Sequence, residues 1–342
     1  MQKIIFNRRS IAIFFFIIII ATTFVVHTFI PYNSKGSWPK TVFINNGDSL
    51  SVISKKLRQT GLIRSKTFFK WFSIFLGNSS SYKRGEYQIS NKVSAYEMAK
   101  ILEEGRTVLV SVTLPEGLQM KEIFSILNNG GFKNSGNYSE ITSNLQFLDT
   151  LQLPVKINTL EGFLFPDTYK FAKDSSEKTI IETMVKTFLQ KLPQNYANMA
   201  KQVNLSYYQA IILASIIEKE TSVSSERTVI ASVFHNRLKR EMRLQTDPTV
   251  IYGISNFNGN LTRKQLRTKT PYNTYIIHGL PPTPIANPGL ASLMAAVNPA
   301  QTDFLYFVAK GDGTHEFSMN YKEHNMAVSK YQRQRKKEYR SF

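Results

Sequence analysis

Cysteine is absent from the 342 residues. That excludes disulfides, thiolate nucleophiles and Cys-ligated zinc, and it leaves the redox compartment open. Histidine is sparse. The five, His27, His235, His278, His315 and His324, show no His-Glu-x-x-His or other tight ligand spacing, so no metal is expected. No Gly-x-Ser-x-Gly segment offers a serine nucleophile, and no glycine loop is arranged to cradle phosphate. No cofactor is therefore expected. Acidic residues are also scarce, 24 against 43 Lys and Arg, for a formal net charge of +19. Such a balance points to a polyanionic neighbour: nucleic acid, anionic lipid or an anionic wall polymer.

Ionisable residues are missing from Ile11–Ile30, apart from a late His27. About twenty apolar residues span a bilayer. The run is longer than a signal-peptide core, and no small-x-small cleavage site follows it. An uncleaved single-pass anchor over residues 11–30 is expected. Lys3, Arg8 and Arg9 hold a cytoplasmic tail, residues 1–10. The chain from Pro31 on then lies outside the inner (cytoplasmic) membrane, in the periplasm or its equivalent. That location disfavours nucleic acid and favours anionic lipid and cell-wall polymer as partners.

The fold class expected is α+β: the transmembrane helix, a small α/β subdomain over 41–110 and a larger mixed domain over 111–342. In the small unit Thr41–Asn46 alternates like a strand, and Gly47-Asp48-Ser49 forms a turn and helix cap. Two helical segments follow, the second carrying Phe68, Phe69, Trp71, Phe72 and Phe75. A strand about Lys83–Ile89, a helix over Ser94–Glu104 and a strand over Val108–Thr113 complete it. The strand, Gly-Asp-Ser-Leu turn and helix resemble the start of a LysM module, a glycan-binding unit; a small packing domain without a ligand fits the same pattern. In the larger domain Asn128–Asn137 reads as a loop and Ser175–Leu192 as an amphipathic helix. Ser224 or Ser225 is expected to cap a helix through Leu238. The proline-dense Gly279–Gly289 reads as a rigid loop. Asn320–Arg340 reads as a charged helix with a solvated basic tail, Arg333–Lys337 with Arg340.

The chain is organised around Ala210–Thr221, an apolar run that ends in a carboxylate. Ser206 and Gln209 form a capping box, and Ile212, Leu213, Ile216 and Ile217 recur at helical spacing. Glu218 closes the run. A carboxyl held against apolar walls is harder to charge, so its pKa is expected to rise toward the working pH, as a general acid requires. Glu220 sits about 200° round the helix, so the two carboxylates do not share a face. Glu220 is the rival acid. A core helix whose glutamates begin its solvated end fits the position equally.

Several long motifs surround that run. Ser215-Ile-Ile-Glu-Lys-Glu-Thr, Arg243-Leu-Gln-Thr-Asp-Pro-Thr-Val-Ile-Tyr-Gly, Tyr272-Asn-Thr-Tyr and Gly279-Leu-Pro-Pro…Asn287-Pro-Gly resemble the membrane-anchored endolytic murein transglycosylase family (MltG, YceG-like). Leu160–Tyr169 and Phe307–Phe317 resemble it too, as does the order of anchor, LysM-like unit and catalytic domain. The resemblance implies lytic cleavage of peptidoglycan at the MurNAc-β-1,4-GlcNAc bond of nascent strands. Glu218 would be general acid and then base, leaving 1,6-anhydro-MurNAc ends. Gln245, Thr246 and Asp247 are expected beside the cleft, orienting the muramyl sugar or Glu218, Tyr252, Tyr272 and Asn273 along sugar subsites, and Glu161 and Asp167 as acidic candidates on the neighbouring loop, each with a structural alternative. Coupling to peptidoglycan synthases is an added expectation. Two other readings stay open: a non-catalytic wall-binding anchor protein, and a hydrolytic muramidase that adds water.

Overall fold

The computed structural model describes residues 8–32, 36–78, 80–132 and 137–333. Two units divide the chain inside a strand pair. One holds the residues up to Ser111 together with Lys170–Ser175, and the other holds Val112–Tyr169 and the chain from Ser176 on.

The first unit opens with helix α1, Arg8–Phe29. Among the described residues it is the one helix long and apolar enough to cross a membrane, over Ile11–Phe29. Strand β1 (Lys40–Ile44), helix α2 (Leu50–Gln59), helix α3 (Lys66–Phe75), strand β2 (Gly85–Ile89) and helix α4 (Ala95–Glu104) follow, then strand β3 (Leu109–Thr113). β1 and β2 pair antiparallel, with Val42 opposite Tyr87. Ser49 caps α2, Ser65 caps α3, and Ser94 with Glu97 closes a capping box on α4. Ile53, Leu57, Phe69, Tyr87, Met98 and Leu102 form one buried core. The expected strand–turn–helix start is present; the arrangement does not by itself establish a LysM module. The cytoplasmic-tail expectation falls largely on residues 1–7, outside the described residues.

The second unit begins with helices α5 (Met120–Asn129), α6 (Tyr138–Ser143) and α7 (Leu145–Thr150), then strand β4 (Thr168–Ala172), which pairs with β3. Residues 133–136 of the expected loop lie outside the described residues. Helices α8 (Glu177–Lys191), α9 (Tyr196–Gln202), α10 (Tyr207–Glu220), α11 (Arg227–Lys239), α12 (Asp247–Tyr252), α13 (Arg263–Arg267) and α14 (Leu290–Val297) build the body. Strands β5 (Tyr306–Ala309) and β6 (His315–Ser318) make an antiparallel hairpin, and helix α15 (Tyr321–Val328) runs into a π-type turn at Ser329–Arg333. The basic tail beyond Arg333 lies outside the described residues.

α10 is the centre of this unit. Ser206 accepts the Gln209 amide and Gln209 returns the bond, so the expected capping box forms. Every residue from Ala210 to Ile217 is buried. A helix apolar on all sides belongs in a core, and α14, α11, α9 and α12 pack round it. One expectation fails. Neither Ser224 nor Ser225 caps α11; those residues form a 3-10 turn with Glu226, and no side chain caps the helix. Glu226 is instead engaged by His315, whose backbone amide and Nδ1 lie 2.9 and 2.7 Å from its carboxylate oxygens.

The turn Leu160–Pro166 packs directly on α10. Gly162 has φ +89°, and a Cβ built there would lie 2.6 Å from two ring atoms of Pro284 and 3.1 Å from Ile211. Both the left-handed backbone and the contact require glycine. Gly162→Ala is therefore expected to destabilise the second unit by about 2–4 kcal/mol, read as a lowered thermal midpoint in circular dichroism. An unchanged midpoint would show that the turn can move off Pro284.

Candidate active site

Glu218 and Glu220 leave the last turn of α10 toward different neighbours, as the helical pitch requires. Glu218 faces the first residue of α11 and the start of α14. Its Oε2 accepts a hydrogen bond from the Gly289 amide at 2.9 Å. Arg227 Nη2 lies 3.6 Å from its Oε1 and 3.7 Å from Glu116 Oε2. Glu116 rests on Gly289, where a built Cβ would come within 1.8 Å of its carboxylate. Burial and the neighbouring Glu218 charge push the Glu116 carboxyl up, with Arg227 opposing. The Glu218 side chain is 6% exposed, so it is a clamped group inside an ionic cluster. The apolar-walled pocket expected for it is not what surrounds it.

Glu220 faces a cavity. Thr246 Oγ1 donates to its Oε1. Burial pushes its carboxyl up to about 7, and the Asp247 charge adds to that; the Thr246 bond and Arg237 act the other way. The cavity has a volume of about 570 Å³, and Glu220, Arg237, Gln245, Thr246, Asp247, Tyr275, Tyr306 and His324 are among its walls. It combines one proton-holding carboxyl with aromatic faces and polar groups, which suits a sugar polymer.

The Thr246 hydroxyl is set by its own loop. Gln245 has φ +48°, a left-handed backbone rare for a residue with a side chain. Thr274 fixes the next step: its carbonyl accepts the Gln245 amide at 3.1 Å and its Oγ1 accepts the Thr246 amide at 3.1 Å. Arg237, buried on α11, donates from Nη1 to Leu244 O and from Nε to Leu305 O, each at 2.7 Å. Tyr275 donates to Asp247 Oδ1 at 2.6 Å.

The other expected residues divide. Gln245, Thr246 and Asp247 line the cavity with Glu220. Tyr252 and Tyr272 pack ring to ring at 4.9 Å, and their hydroxyls are taken by Glu161 and Thr283. Asn273 is fully buried, and its amide donates to the carbonyls of Gln265, Leu266 and Thr268; it closes α13. Asp167 pairs with Lys191 at 3.2 Å and accepts the Thr168 amide, which hold its carboxyl below the usual range. It is not among the cavity walls.

Glu161 is a buried strut. It accepts from the Met120 amide and from Asn287 Nδ2, both at 2.9 Å, and from the Tyr252 hydroxyl at 3.2 Å. Burial still pushes its carboxyl up to about 7. Sequence reasoning missed Arg237, Tyr306 and His324. For Arg237 a signal existed: it continues the apolar stripe Ile230, Val233, Phe234 at helical spacing, so a charge there had to be buried.

The YceG-like family matches residues 42–330 of this chain. The endolytic murein transglycosylase of Bacillus subtilis (strain 168) is 34% identical over 312 residues, covering 85% of each chain. That of Streptococcus pneumoniae serotype 2 is 28% identical over 338 residues, covering 90% of this chain and 61% of its own. A crystal structure of a yceG-like protein from Listeria monocytogenes superposes with a TM-score of 0.58 at 32% identity, covering 84% of this chain and 97% of that one.

Two outcomes follow from the buried carboxyls. A carboxyl raised from 4.5 to about 7 in the fold keeps a proton that the unfolded chain has released. Its contribution is therefore full below pH 4.5 and is lost as pH rises through 7, by on the order of 3 kcal/mol. Glu220→Gln is expected to stabilise the second unit at pH 8 and to flatten that part of the thermal-midpoint profile; an unaltered profile would remove the buried-acid reading. Asn287→Asp sets a second carboxyl against Glu161 and loses the donor, and is expected to cost about 3–5 kcal/mol at neutral pH, measured by urea unfolding.

Proposed function

This chain belongs to the YceG-like family, and we infer that it works as its named relatives do, as an endolytic murein transglycosylase. It is a lytic transglycosylase acting on peptidoglycan. The bond cut in this reading is MurNAc-β-1,4-GlcNAc, and the product ends are 1,6-anhydro-MurNAc.

The resemblance puts the acid at Glu218; the surroundings of the two carboxyls favour Glu220, and Glu220 is the acid we assign. The observation that carries this is a carboxyl pushed up to about 7 at the wall of an aromatic cavity. A carboxyl with that pKa can both give and take a proton near neutral pH. It protonates the glycosidic oxygen as that oxygen leaves the muramyl anomeric carbon. The substrate's acetamido group stabilises the oxocarbenium-like centre, as in substrate-assisted glycosidases. Glu220, now a carboxylate, removes the proton of the muramyl 6-hydroxyl, which closes on the anomeric carbon. No water is consumed, so no second carboxylate is required. Thr246 aims the carboxyl through its hydroxyl, and Asp247, Gln245 and Tyr275 are placed to meet the sugar. Glu218, with an amide on one oxygen and Arg227 near the other, holds α10 to α11 and α14.

Asp247 favours a second reading. It is exposed, lines the same cavity and could activate a water, which would make the enzyme a hydrolytic muramidase. Its bond from Tyr275 leaves it a positioned carboxylate in either case.

The remaining readings concern place. Ile11–Phe29 serves as a single-pass anchor in the cytoplasmic membrane, with the N-terminus inside and the catalytic unit outside. Enzyme held there meets glycan strands as they emerge, beside the synthases that make them. The β1-α2-α3-β2 order supports a LysM-like role in gripping glycan for the first unit. The charge of +19 suits anionic lipid and wall polymer and gives no reason to invoke nucleic acid.

The test is mass spectrometry of uncrosslinked glycan strands after exposure to the full chain in detergent. Wild type is expected to release fragments lacking one water. Glu220→Gln should reduce them by about 10²–10⁴-fold while remaining folded, and Glu218→Gln should still produce them. Anhydro fragments from Glu220→Gln but not from folded Glu218→Gln would return the acid to Glu218. Reducing ends would make the enzyme a hydrolase.

A further inference from the structure

Helix α3 carries an apolar face that nothing among the described residues of the first unit covers. Trp71 is 65% exposed, Phe75 80% and Ile74 42%, and the three follow one another along one side of the helix. Apolar surface of this size left in water is unfavourable. Lys66 and Lys70 flank it, and neither is paired with a described acid. With Lys55 and Val52 of α2 they wall a shallow groove of about 450 Å³ beside Trp71.

The adjacent side of α3 meets α1. Phe68 and Phe72 meet the Phe24 ring at 6.0 and 6.4 Å, and Phe68 lies 5.0 Å from the His27 ring. This contact sets the depth of α3. The apolar run Ile11–Phe29 has 19 residues, about 28 Å at the helical rise, close to one hydrocarbon thickness. Phe24 is five residues from its end, which is about 7 Å below it. An interfacial helix buries its apolar face about 5–10 Å into the boundary between head groups and acyl chains. Just beyond the run, Tyr32 is covered by Arg58 and Arg64, whose guanidinium carbons lie 5.4 and 5.6 Å from its ring centroid. An aromatic with two cations at that position matches the composition of a membrane interface.

We propose that α3 rests in the leaflet from which α1 emerges, with Trp71, Ile74 and Phe75 at the acyl boundary and Lys66 and Lys70 against anionic head groups. This rests on α1 as a membrane-spanning helix. The first unit is then held by a second, lateral contact as well as by its tether. A single helix leaves an attached unit free to turn about the tether; a second contact fixes its tilt relative to the surface.

The experiment uses the full chain in phosphatidylglycerol–phosphatidylcholine vesicles. Trp38→Phe leaves Trp71 as the one tryptophan, since the chain has two. Blue-shifted Trp71 emission is expected, with most of it lost to lipid brominated near the glycerol end and little to aqueous acrylamide. Lys66→Glu with Lys70→Glu should weaken the bromolipid quenching. Alkaline carbonate extraction reports on α1 separately. Protein that resists extraction but shows Trp71 open to acrylamide would overturn the proposal and leave the anchor standing. Shielding from both quenchers would overturn it too, in favour of a protein partner or a second copy on that face. Protein released by carbonate would remove the anchor reading, and the proposal with it.

Discussion

The side-chain amide of Asn287 holds three separate loops in one place. Its Oδ1 accepts the amides of Gly162 and Leu164 at 3.0 and 2.9 Å, and its Nδ2 donates to Leu118 O at 3.0 Å and Glu161 Oε1 at 2.9 Å. Its own backbone exchanges bonds with the same stretch, accepting from Gly117 N and donating to Leu118 O. The group is 1% exposed. A buried amide with every capacity used is worth more than its bonds taken singly, because any loss leaves a polar group without water. Only a side chain that accepts on one end and donates on the other serves two backbone amides and a carboxylate at once. Proline on both sides, Pro284 and Pro288, limits what the loop can do when unfolded and so lowers the entropy lost in placing it. Two residues on, Gly289 begins α14 and meets Glu218. The amide thus ties the loop that carries Gly289 to the stretches of chain beside the end of the central helix.

From that end two chemically identical side chains meet different surroundings. Glu218 meets a guanidinium and a backbone amide, groups that hold it in place. Glu220 meets one hydroxyl and the wall of a cavity, and burial is the largest influence on it. The difference is one of surroundings. Glu161 is a second carboxyl that burial raises. It reaches about the same value as Glu220, yet all its bonds go to structural partners and none of it faces the cavity. Of the two, Glu220 lines the cavity.

Local signals were readable in the sequence because they are short-range. Ser206 and Gln209, or Ser94 and Glu97, cap their helices through residues three apart. The apolar run gave the buried helix, and its pitch gave the divergence of Glu218 and Glu220. What periodicity cannot carry is which side of the helix meets space, since α11, α12 and α14 decide that. The expected Ser224 or Ser225 cap does not form; both lie in a 3-10 turn with Glu226, which is bound by His315, 89 residues on. Asn273 by type suits a sugar subsite and Asp167 an acidic role beside it; in the fold Asn273 donates to Thr268 O and Asp167 pairs with Lys191, contacts that no local pattern carries. Arg237 was passed over because charge was read as surface. Its guanidinium lies beneath Tyr306, 5.1 Å from the ring centroid, where it supports the cavity wall.

The least regular backbone at the cavity wall is at Gln245. Gln245 sits in the left-handed region, which costs a non-glycine residue on the order of 1 kcal/mol or more. A relaxed backbone there would carry Thr246 and Asp247 in another direction, since both follow directly in the chain. The conformation is held by what lies on either side. Arg237 grips Leu244 O before it, and Thr274 receives two successive amides after it. Thr249 adds a third tie, donating to Thr246 O at 2.8 Å. Four bonds at about 1 kcal/mol each outweigh the local strain. Together they hold Thr246 where its hydroxyl donates to Glu220. A carboxyl that is hard to charge is useful only if it is also aimed, and here burial supplies the first property and an enforced backbone the second.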